Sequence, residues 1–271
     1  MREPMDLNVR PDEALLPWVG RVRAAVVLGS GFGGLAGAVT DPQVIPYADL
    51  PSFPHPSATV AGHAGQLHLG DAGGVPVVLF QGRVHRYQGM SALDAAYPAR
   101  LAAALGVETL IVTNAAGGVS PDLSPGDVVL IEDQINLTGD SPLVGWPGPP
   151  GGVPFVPMRD AYDPELRALA LQVAAEQGMV LHPGVYTGLL GPAFETVAEV
   201  EAFRRLGTDV VGMSTVHEVI AARALGLRVL GFSLVSNAAA GVGLSHEEVL
   251  EAGAKAEASL SKLLLAVLAR L

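Results

Sequence analysis

The stretch VHEVIAARALGLRVLGFSLVSN, residues 216–237, decides the fold class. Its first half has the composition of a helix that ends at Gly226, and its second half is an apolar run typical of a buried strand. The same succession of helix, glycine and strand occurs three more times, at Gly106, Gly178 and Gly207. Such alternation predicts an α/β fold in which helices flank a mostly parallel central sheet.

Other apolar runs extend the predicted sheet. Strands are expected over residues 24–29, 66–70, 75–81, 108–113, 127–137, 185–191 and 209–213, and helices over residues 91–106, 163–178, 196–207 and 245–271. The turn DAGG at 71–74 joins two of these strands as a hairpin, so the sheet should be mixed. No change of composition marks a boundary, so residues 1–271 should form a single domain. The segment 141–157, rich in Pro and Gly, is expected to be a lid or a mobile loop.

The composition excludes several functional classes. The chain has 271 residues, a formal net charge of −11 and no cysteine, which rules out disulfides, thiol nucleophiles and cysteine-ligated metals. The acidic balance disfavours broad binding to nucleic acid or anionic membranes, but it leaves room for one local anion site. We expect a soluble cytoplasmic protein, because the sequence shows no secretory signal and no stretch apolar enough to span a bilayer. The histidines form no metal-binding motif, so no metal is expected.

The glycine-rich segment GSGFGG, residues 29–34, matches the dinucleotide pattern G-x-G-x-x-G. That interpretation needs a helix next, but prolines 42, 46 and 51 interrupt the following residues, so a dehydrogenase is disfavoured. A turn whose backbone N–H groups and Ser30 hydroxyl hold a small anion fits better. A tight turn without a ligand is the alternative.

Two further segments place ligand-binding groups at strand ends. In QGRVHRYQG, residues 81–89, Arg83 and His85 follow an apolar strand, and an arginine fork beside an imidazole suits phosphate. An ordinary exposed loop is the other interpretation. In TNAAGG, residues 113–118, small side chains let a ligand approach the backbone at the edge where α/β sheets bind ligands. A turn chosen for compactness explains this segment equally well.

Three motifs later in the chain complete the candidate set. Ser214 in GMSTVHE precedes a helix, which is a second position for an anion. In GPAFETVAEV, Phe194 offers a stacking face and Glu195 a carboxylate acceptor, although Glu195 at a helix start also suits the helix dipole. Asn237 ends a strand, and its amide both donates and accepts, which suits the edge of a heterocycle. Asn237 as a simple loop former is the alternative.

The order of the motifs is more specific than any one of them. The chain carries, in sequence, GSGFGGL, AGHAGQL, QGRVHRYQG, TNAAGGVSPDLSPGD, DQINLTG, MRDAYD, GPAFETVAEV, LGTDVVGMSTVHEV, GLRVLGFSLVSNAAAG and SHEEVLEAG. From about residue 24 to 255 it resembles the trimeric, low-molecular-mass purine nucleoside phosphorylases. The resemblance implies a homotrimer that cleaves purine nucleosides with inorganic phosphate as co-substrate and without a cofactor. The same family includes methylthioadenosine phosphorylases.

The resemblance also implies roles for individual residues. Phosphate would be held by Ser30, His63, Arg83, His85, Ala115 and Ser214. The ribose would contact Tyr87, Met213 and His246. The base would contact Phe194, Glu195 and Asn237. The catalytic residues would be Asn237, Glu195 and His85.

The predicted base contacts lead to an expectation about the substrate. Glu195 accepting from N1–H favours a 6-oxopurine, which has that proton, over adenine, which lacks it. We therefore expect inosine, guanosine and their deoxy forms as substrates. A methylthioadenosine enzyme should carry an acid in place of Asn237. A non-catalytic purine- or phosphate-binding module on the same fold is the alternative from another functional class.

The sequence departs from the family pattern at two places. Relatives cover the ribose with an aromatic side chain from the neighbouring subunit. An ungapped register puts Gly151 at the position of that aromatic residue in this chain, so either Phe155 or Trp146 would have to take its place. His217 stands where the family pattern has proline, beside Ser214. This histidine is either inert or makes phosphate affinity depend on pH near its own pKa.

Overall fold

The computed structural model describes residues 6–30, 32–56, 64–149, 152–240 and 246–271, with side chains from residue 257 onward in the last range. The strands are β1 (Ala24–Leu28), β2 (Thr40–Pro46), β3 (Gln66–Ala72), β4 (Val75–Gln81), β5 (Thr109–Gly118), β6 (Val128–Asn136), β7 (His182–Gly188), β8 (Val210–Gly212) and β9 (Arg228–Ala238). The α-helices are α1 (Ala92–Ala95), α2 (Tyr97–Ala104), α3 (Pro164–Glu176), α4 (Val197–Arg205), α5 (Val216–Ala224) and α6 (His246–Leu268). Short 3₁₀ helices cover Glu13–Trp18, Gly33–Ala38, Tyr47–Asp49 and Arg86–Gln88.

The nine strands form one mixed sheet in the order β2-β3-β4-β1-β5-β8-β7-β6-β9. Strand β9 also pairs with β5, so the last five strands in this order close into a ring. Five of the nine pairings are parallel, namely β1–β4, β1–β5, β5–β9, β6–β7 and β7–β8. The predicted α/β fold with a mixed, mostly parallel central sheet flanked by helices is confirmed. The closed ring is an addition that the pattern of strands and helices does not reveal.

Helices cover both faces of the sheet. Within β1, Val26 and Val27 belong to different apolar clusters, because successive side chains of a strand point to opposite faces. Helices α2 and α5 pack on the face of Val27, and α3 and α6 pack on the face of Val26. The run AAVVL is therefore buried throughout, which explains why it reads as continuous rather than alternating apolar sequence.

Helix starts follow the local capping signals. Thr196 and Glu199 form a capping box at α4, in which the Thr196 hydroxyl accepts from the Glu199 N–H and the Glu199 carboxylate accepts from the Thr196 N–H. Asp163 caps α3 by accepting from the Glu165 and Leu166 N–H groups, both at 3.0 Å. The α4 cap fixes the chain directly after Glu195. Ser245, which directly precedes α6 in the sequence, lies outside the described residues.

Some predicted boundaries differ from the structure. Strand β2 was not predicted, because its two prolines suggest a loop; it is an exposed edge strand, where proline is tolerated. Strand β5 continues to Gly118, so the small residues of TNAAGG lie within the strand. Strand β7 starts at His182 and ends at Gly188, a few residues earlier than expected. The helix predicted over 91–106 is interrupted at Ala96, so Pro98 falls in the first turn of α2, where proline is tolerated.

None of the helices in the described part of the chain is long and apolar enough to cross a membrane. The segment 141–157 forms no helix or strand in its described residues, 141–149 and 152–157.

Candidate active site

A cavity of about 390 Å³ opens at the carboxyl-terminal ends of the parallel strands β1, β4, β5 and β9. Ten of the twelve predicted site residues line it, namely Ser30, Arg83, His85, Tyr87, Ala115, Phe194, Glu195, Met213, Ser214 and Asn237. His63 lies outside the described residues. His246 is the first residue of α6, and its side chain also lies outside what is described. Residues far apart in the chain therefore meet in one site.

The floor of the cavity depends on close contact between β1 and β5 at Gly29. The Gly29 N–H donates to the Thr113 hydroxyl at 3.0 Å, and that hydroxyl donates to the Val27 carbonyl at 2.9 Å. A β-carbon on Gly29 would lie 2.5 Å from the Thr113 carbonyl oxygen and 2.8 Å from the α-carbon of Asn114. Because both of these are backbone atoms, a larger residue would have to push the strands apart.

Replacing Gly29 with alanine should therefore destabilise the protein. We expect the free energy of unfolding to fall by about 1–3 kcal/mol, the usual cost of forcing an extra carbon into a packed interior. Gly37→Ala is the matched control, because a β-carbon added at Gly37 would meet nothing within 4 Å. Urea unfolding of the two variants and the parent checks this, and equal midpoints for all three would contradict the packing argument.

Arg83 is buried rather than part of an exposed loop. Its Nη1 donates to Glu218 Oε2 at 2.8 Å, and the two side chains are 2% and 1% exposed. Its Nη2 donates to the backbone carbonyl of Thr113. Glu218 was not singled out from the sequence, because a glutamate in the first turn of a helix is common for reasons of the helix dipole alone. The predicted anion side of the cavity, at Arg83 and Ser214, is therefore built on a buried ion pair.

His85 and Tyr87 share one wall of the cavity. Their rings stack with centroids 4.7 Å apart and planes 16° from parallel. The His85 N–H donates to the Gln88 side-chain carbonyl at 2.7 Å, and the ring Nδ1 lies 3.3 Å from the same oxygen. Burial raises the pKa of the Tyr87 phenol, so this ring stays uncharged near neutral pH. The pair offers a rigid surface with imidazole and phenol groups at its edge.

Ser214 sits beside a strained residue. Thr215 has a φ of 71°, in the left-handed region that β-branched residues rarely adopt. The Thr215 hydroxyl accepts from the Asn114 side-chain amide at 2.9 Å and lies 3.1 Å from the Ser214 hydroxyl. The Tyr186 hydroxyl accepts from the Ser214 N–H at 3.2 Å. These contacts hold Ser214 at the cavity wall, and neither Thr215 nor Asn114 was among the predicted site residues.

Another part of the cavity wall carries the groups suited to a heterocycle. Phe194 is half exposed, and Glu195 beside it is partly buried, which raises the pKa of its carboxyl group. The Asn237 carbonyl oxygen accepts from the Ser236 hydroxyl at 2.7 Å, and its amide donates to the Ala238 carbonyl at 3.0 Å. Ser236 also lines the cavity. This wall therefore presents one aromatic face, one carboxylate and one amide.

His217 lies behind the anion side of the site. It is 3% exposed, and its Nε2 is 3.1 Å from the Thr138 hydroxyl. Burial, with a contribution from the positive charge of Arg86, lowers the pKa of His217 to about 4. The imidazole is therefore neutral near pH 7, and of the two interpretations given by the sequence, the structure favours the inert one.

The described residues contain no group of three or more His, Asp or Glu side chains placed to hold a metal ion.

Comparison with known proteins identifies the class to which this fold and cavity belong. A family model described as "Phosphorylase superfamily" matches residues 23–269, so the chain belongs to this superfamily. It is 47% identical over 251 residues to purine nucleoside phosphorylase 1 of Bacillus subtilis, covering 92% of each chain. The resemblance to purine nucleoside phosphorylases and the expected enzyme class are thereby confirmed.

Solved structures agree with this assignment. The purine nucleoside phosphorylase of Schistosoma mansoni in complex with inosine has a TM-score of 0.88 and 37% identity to this chain, with 99% of each chain covered. A purine nucleoside phosphorylase of Schistosoma mansoni in complex with adenosine has a TM-score of 0.85 and 40% identity, covering 93% of this chain and 91% of that one.

Proposed function

We propose that this chain catalyses the phosphate-dependent cleavage of 6-oxopurine nucleosides, namely inosine, guanosine and their deoxy forms, in the cytoplasm. The products are the free base and ribose or deoxyribose 1-phosphate. The observation that carries the proposal is that one cavity combines an anion side, at Arg83 and Ser214, with a wall bearing Glu195 and Asn237. The relative solved with inosine supports the same use of the cavity. The proposed reaction uses inorganic phosphate as co-substrate and requires no cofactor.

The chemistry follows from the two sides of the cavity. Phosphate attacks C1′ of the sugar while the glycosidic bond breaks, so the sugar gains positive character and the purine gains negative charge. Phosphate held by Ser30, Arg83, His85 and Ser214 stabilises the sugar, and His63 is proposed to assist from the same side. Hydrogen bonds aimed at the purine stabilise the leaving base. Binding both reactants in one cavity supplies the positional part of the rate enhancement.

The proposed preference for 6-oxopurines depends on Glu195 and Asn237. Asn237 donates to O6 and accepts from N7–H once N7 of the leaving base has taken a proton from water, while ionised Glu195 accepts from N1–H. Adenine has no proton on N1, so the carboxylate would face a lone pair. Tyr87, Met213 and His246 are proposed to contact the ribose, and Phe194 to stack on the base.

The direct test is base release from inosine, adenosine and methylthioadenosine, each with and without inorganic phosphate. We expect hypoxanthine release from inosine that requires phosphate, with adenosine and methylthioadenosine poor substrates. Phosphate-dependent release from methylthioadenosine alone would keep the reaction class and overturn the base-recognition argument. No release from any of the three would favour a binding module on the same fold.

The raised pKa of Glu195 leads to a prediction about pH. Because the carboxylate must be ionised to accept from N1–H, nucleoside binding is complete above the pKa of Glu195 and is lost as pH falls through it. Burial raises this pKa, so the acid limb of kcat/KM for inosine should lie above the ordinary glutamate range. The profile is measured at saturating phosphate. Glu195→Gln should lower kcat/KM and remove this limb, whereas an unchanged limb would assign it to another group.

We also propose that the enzyme is a homotrimer in which Phe155 covers the ribose of the neighbouring subunit. Phe155 is 83% exposed, whereas Trp146 is 8% exposed and therefore engaged within its own subunit. Gly151, the position indicated by the ungapped register, lies outside the described residues. An exposed phenylalanine on a surface loop is the better candidate, because exposed aromatic rings are favoured as contact groups between subunits.

Light scattering of the purified protein should give three times the mass of one chain. Phe155→Ala should raise KM for the nucleoside about two- to tenfold, the range expected for one lost aromatic contact, and leave KM for phosphate unchanged. Val153→Ala, on the same loop and also exposed, is the control. A monomeric mass, or equal effects of the two substitutions, would contradict the proposal.

A further inference from the structure

Glu218 stands behind the anion side of the cavity and is bonded to Arg83. The carboxylate comes from the first turn of α5, and Arg83 follows the end of β4. Both side chains are buried, and the Nη1–Oε2 distance is 2.8 Å. In the mechanism above Arg83 acts on phosphate, whereas Glu218 has no part. Glu218 is in direct contact with Arg83, the residue proposed to bind the anion, and this position suggests a role of its own.

The Arg83 guanidinium is fixed from several directions. Besides Glu218, Nη1 lies 3.4 Å from the Thr215 hydroxyl, and Nη2 donates to the Thr113 carbonyl and, at 3.4 Å, to the Val27 carbonyl. These neutral acceptors set the plane of the guanidinium, while Glu218 supplies a full opposing charge. Removing one partner of such a pair inside a protein leaves the other charge uncompensated. The carboxylate thus both orients Arg83 and reduces the positive field that an anion meets.

The environment of Glu218 favours its neutral form. Its Oε1 has no hydrogen-bond partner in the part of the chain that the structure describes. Burial raises the pKa of Glu218 to about 7, with Arg83 acting in the opposite direction. Three other titratable groups near it are uncharged near neutral pH, because burial raises the pKa values of Tyr47 and Tyr162 and lowers that of the adjacent His217. His85 and Arg86 line the same small cavity as Glu218, and Arg86 is paired with Asp140 at 2.8 Å. Arg83 is the charge in direct contact with Glu218.

We propose that Glu218 is a positioning residue for Arg83 and that it takes up a proton when an oxyanion binds in the cavity. A dianion beside Arg83 adds negative charge near the Glu218 carboxylate, and like charges disfavour ionisation. Protonation of Glu218 leaves the full charge of Arg83 to the anion. Since coupling between two binding events is reciprocal, the proton must strengthen anion binding by the same factor. This inference rests on the proposed binding of phosphate in this cavity.

The test uses sulfate, which remains a dianion across the range in which phosphate titrates. In the parent protein, sulfate affinity measured by calorimetry should fall about three- to tenfold between about pH 6 and about pH 8.5, and binding should take up protons. Uptake is read from the dependence of the binding heat on the ionisation enthalpy of the buffer. In Glu218→Gln the affinity should stay at the acid-side value throughout, and the proton uptake should disappear.

Glu176→Gln is the matched control, because it removes the carboxylate of an exposed arginine pair, that of Arg270, outside the cavity. This variant should behave as the parent does. An unchanged pH dependence in Glu218→Gln would assign the proton to a histidine and overturn the proposal. Sulfate binding in the parent without proton uptake would also overturn the proposal, and so would the absence of sulfate binding. If Glu218→Gln does not fold, absence of proton uptake in the parent still overturns the proposal, and Glu218→Asp serves as the second variant.

Sulfate binding involves no nucleoside, so it separates this inference from the proposed reaction. Failure of phosphorolysis with normal, proton-coupled sulfate binding would overturn the reaction and leave the role of Glu218 intact. Active phosphorolysis with proton-independent sulfate binding would overturn the role of Glu218 and leave the proposed reaction intact. A positioning role further predicts that Glu218→Asp raises KM for phosphate more than KM for inosine, because a shorter side chain displaces Arg83 without removing the charge.

Discussion

Arg83→Ala is expected to lower kcat/KM for phosphate by about 10²- to 10³-fold, the usual cost of removing one preorganised donor from a site that stabilises developing charge. Steady-state kinetics with phosphate as the varied substrate measure this loss. The effect on KM for inosine should be much smaller, because Arg83 lies on the anion side of the cavity. Comparable losses for both substrates would mean that the whole site has collapsed.

The same substitution should also destabilise the fold, because it leaves Glu218 buried without its partner. An uncompensated buried charge costs about 3–5 kcal/mol. Burial already raises the pKa of Glu218 to about 7, and loss of Arg83 raises it further. The neutral carboxyl is tolerated at low pH, so the destabilisation relative to the parent should be small below about pH 7, grow as pH rises above that value, and level off above the higher pKa of Glu218 in the variant. Urea unfolding across the pH range checks the sign.

A charge-balanced double variant separates the two effects of Arg83. Combining Arg83→Ala with Glu218→Gln removes both charges, so stability at high pH should recover relative to Arg83→Ala alone. Phosphate kinetics should not recover, because the guanidinium is still absent. Recovery of phosphate use in the double variant would contradict a direct role of Arg83. Arg83→Lys, which keeps a charge but loses the planar fork, should lie between the parent and the alanine variant.

Asn237→Asp is expected to lower the ratio of inosine to adenosine turnover by about a hundredfold or more, as is usual where a site built to hydrogen-bond one group must accept another. An aspartate cannot donate to O6, but it can accept from a 6-amino group. The Ser236 hydroxyl, which donates to Asn237 at 2.7 Å, can donate equally well to a carboxylate and should hold the new side chain in place. The ratio of kcat/KM values for the two nucleosides is the measurement.

Asn237→Ala is the control for this change of preference. It removes both hydrogen bonds to the base, so it should lower turnover of inosine without improving turnover of adenosine. KM for phosphate should change little in either variant, because Asn237 is proposed to contact the base rather than the phosphate. An unchanged ratio of inosine to adenosine turnover in Asn237→Asp would rule out the proposed role of Asn237.

Much of the candidate site was predictable, because its residues lie in short motifs at the ends of strands. Ser30, Ala115 and Asn237 all occur where apolar runs give way to small or polar residues. Parallel strands bring their carboxyl ends to one edge, so residues more than a hundred positions apart meet there. The resemblance to a known family then supplied roles that no single motif specifies.

The features that the sequence did not reveal depend on long-range contacts. Glu218 reads as an ordinary helix residue until the structure places Arg83 against it. The strain at Thr215 has no local signal, because it is imposed by polar partners from other elements. Strand β2 is held by pairing with β3 rather than by its own composition. In each case tertiary contacts override local preference.

The ring of five strands has a consequence for how the protein folds during its synthesis. Closing the ring pairs Thr109 with Arg228, 119 positions later in the chain (228 − 109). Strand β9 pairs with both β5 and β6 to close the ring, and it also carries Asn237. Pairings of such long range form late and slowly. A growing chain on the ribosome therefore has no nucleoside pocket until β9 has been synthesised.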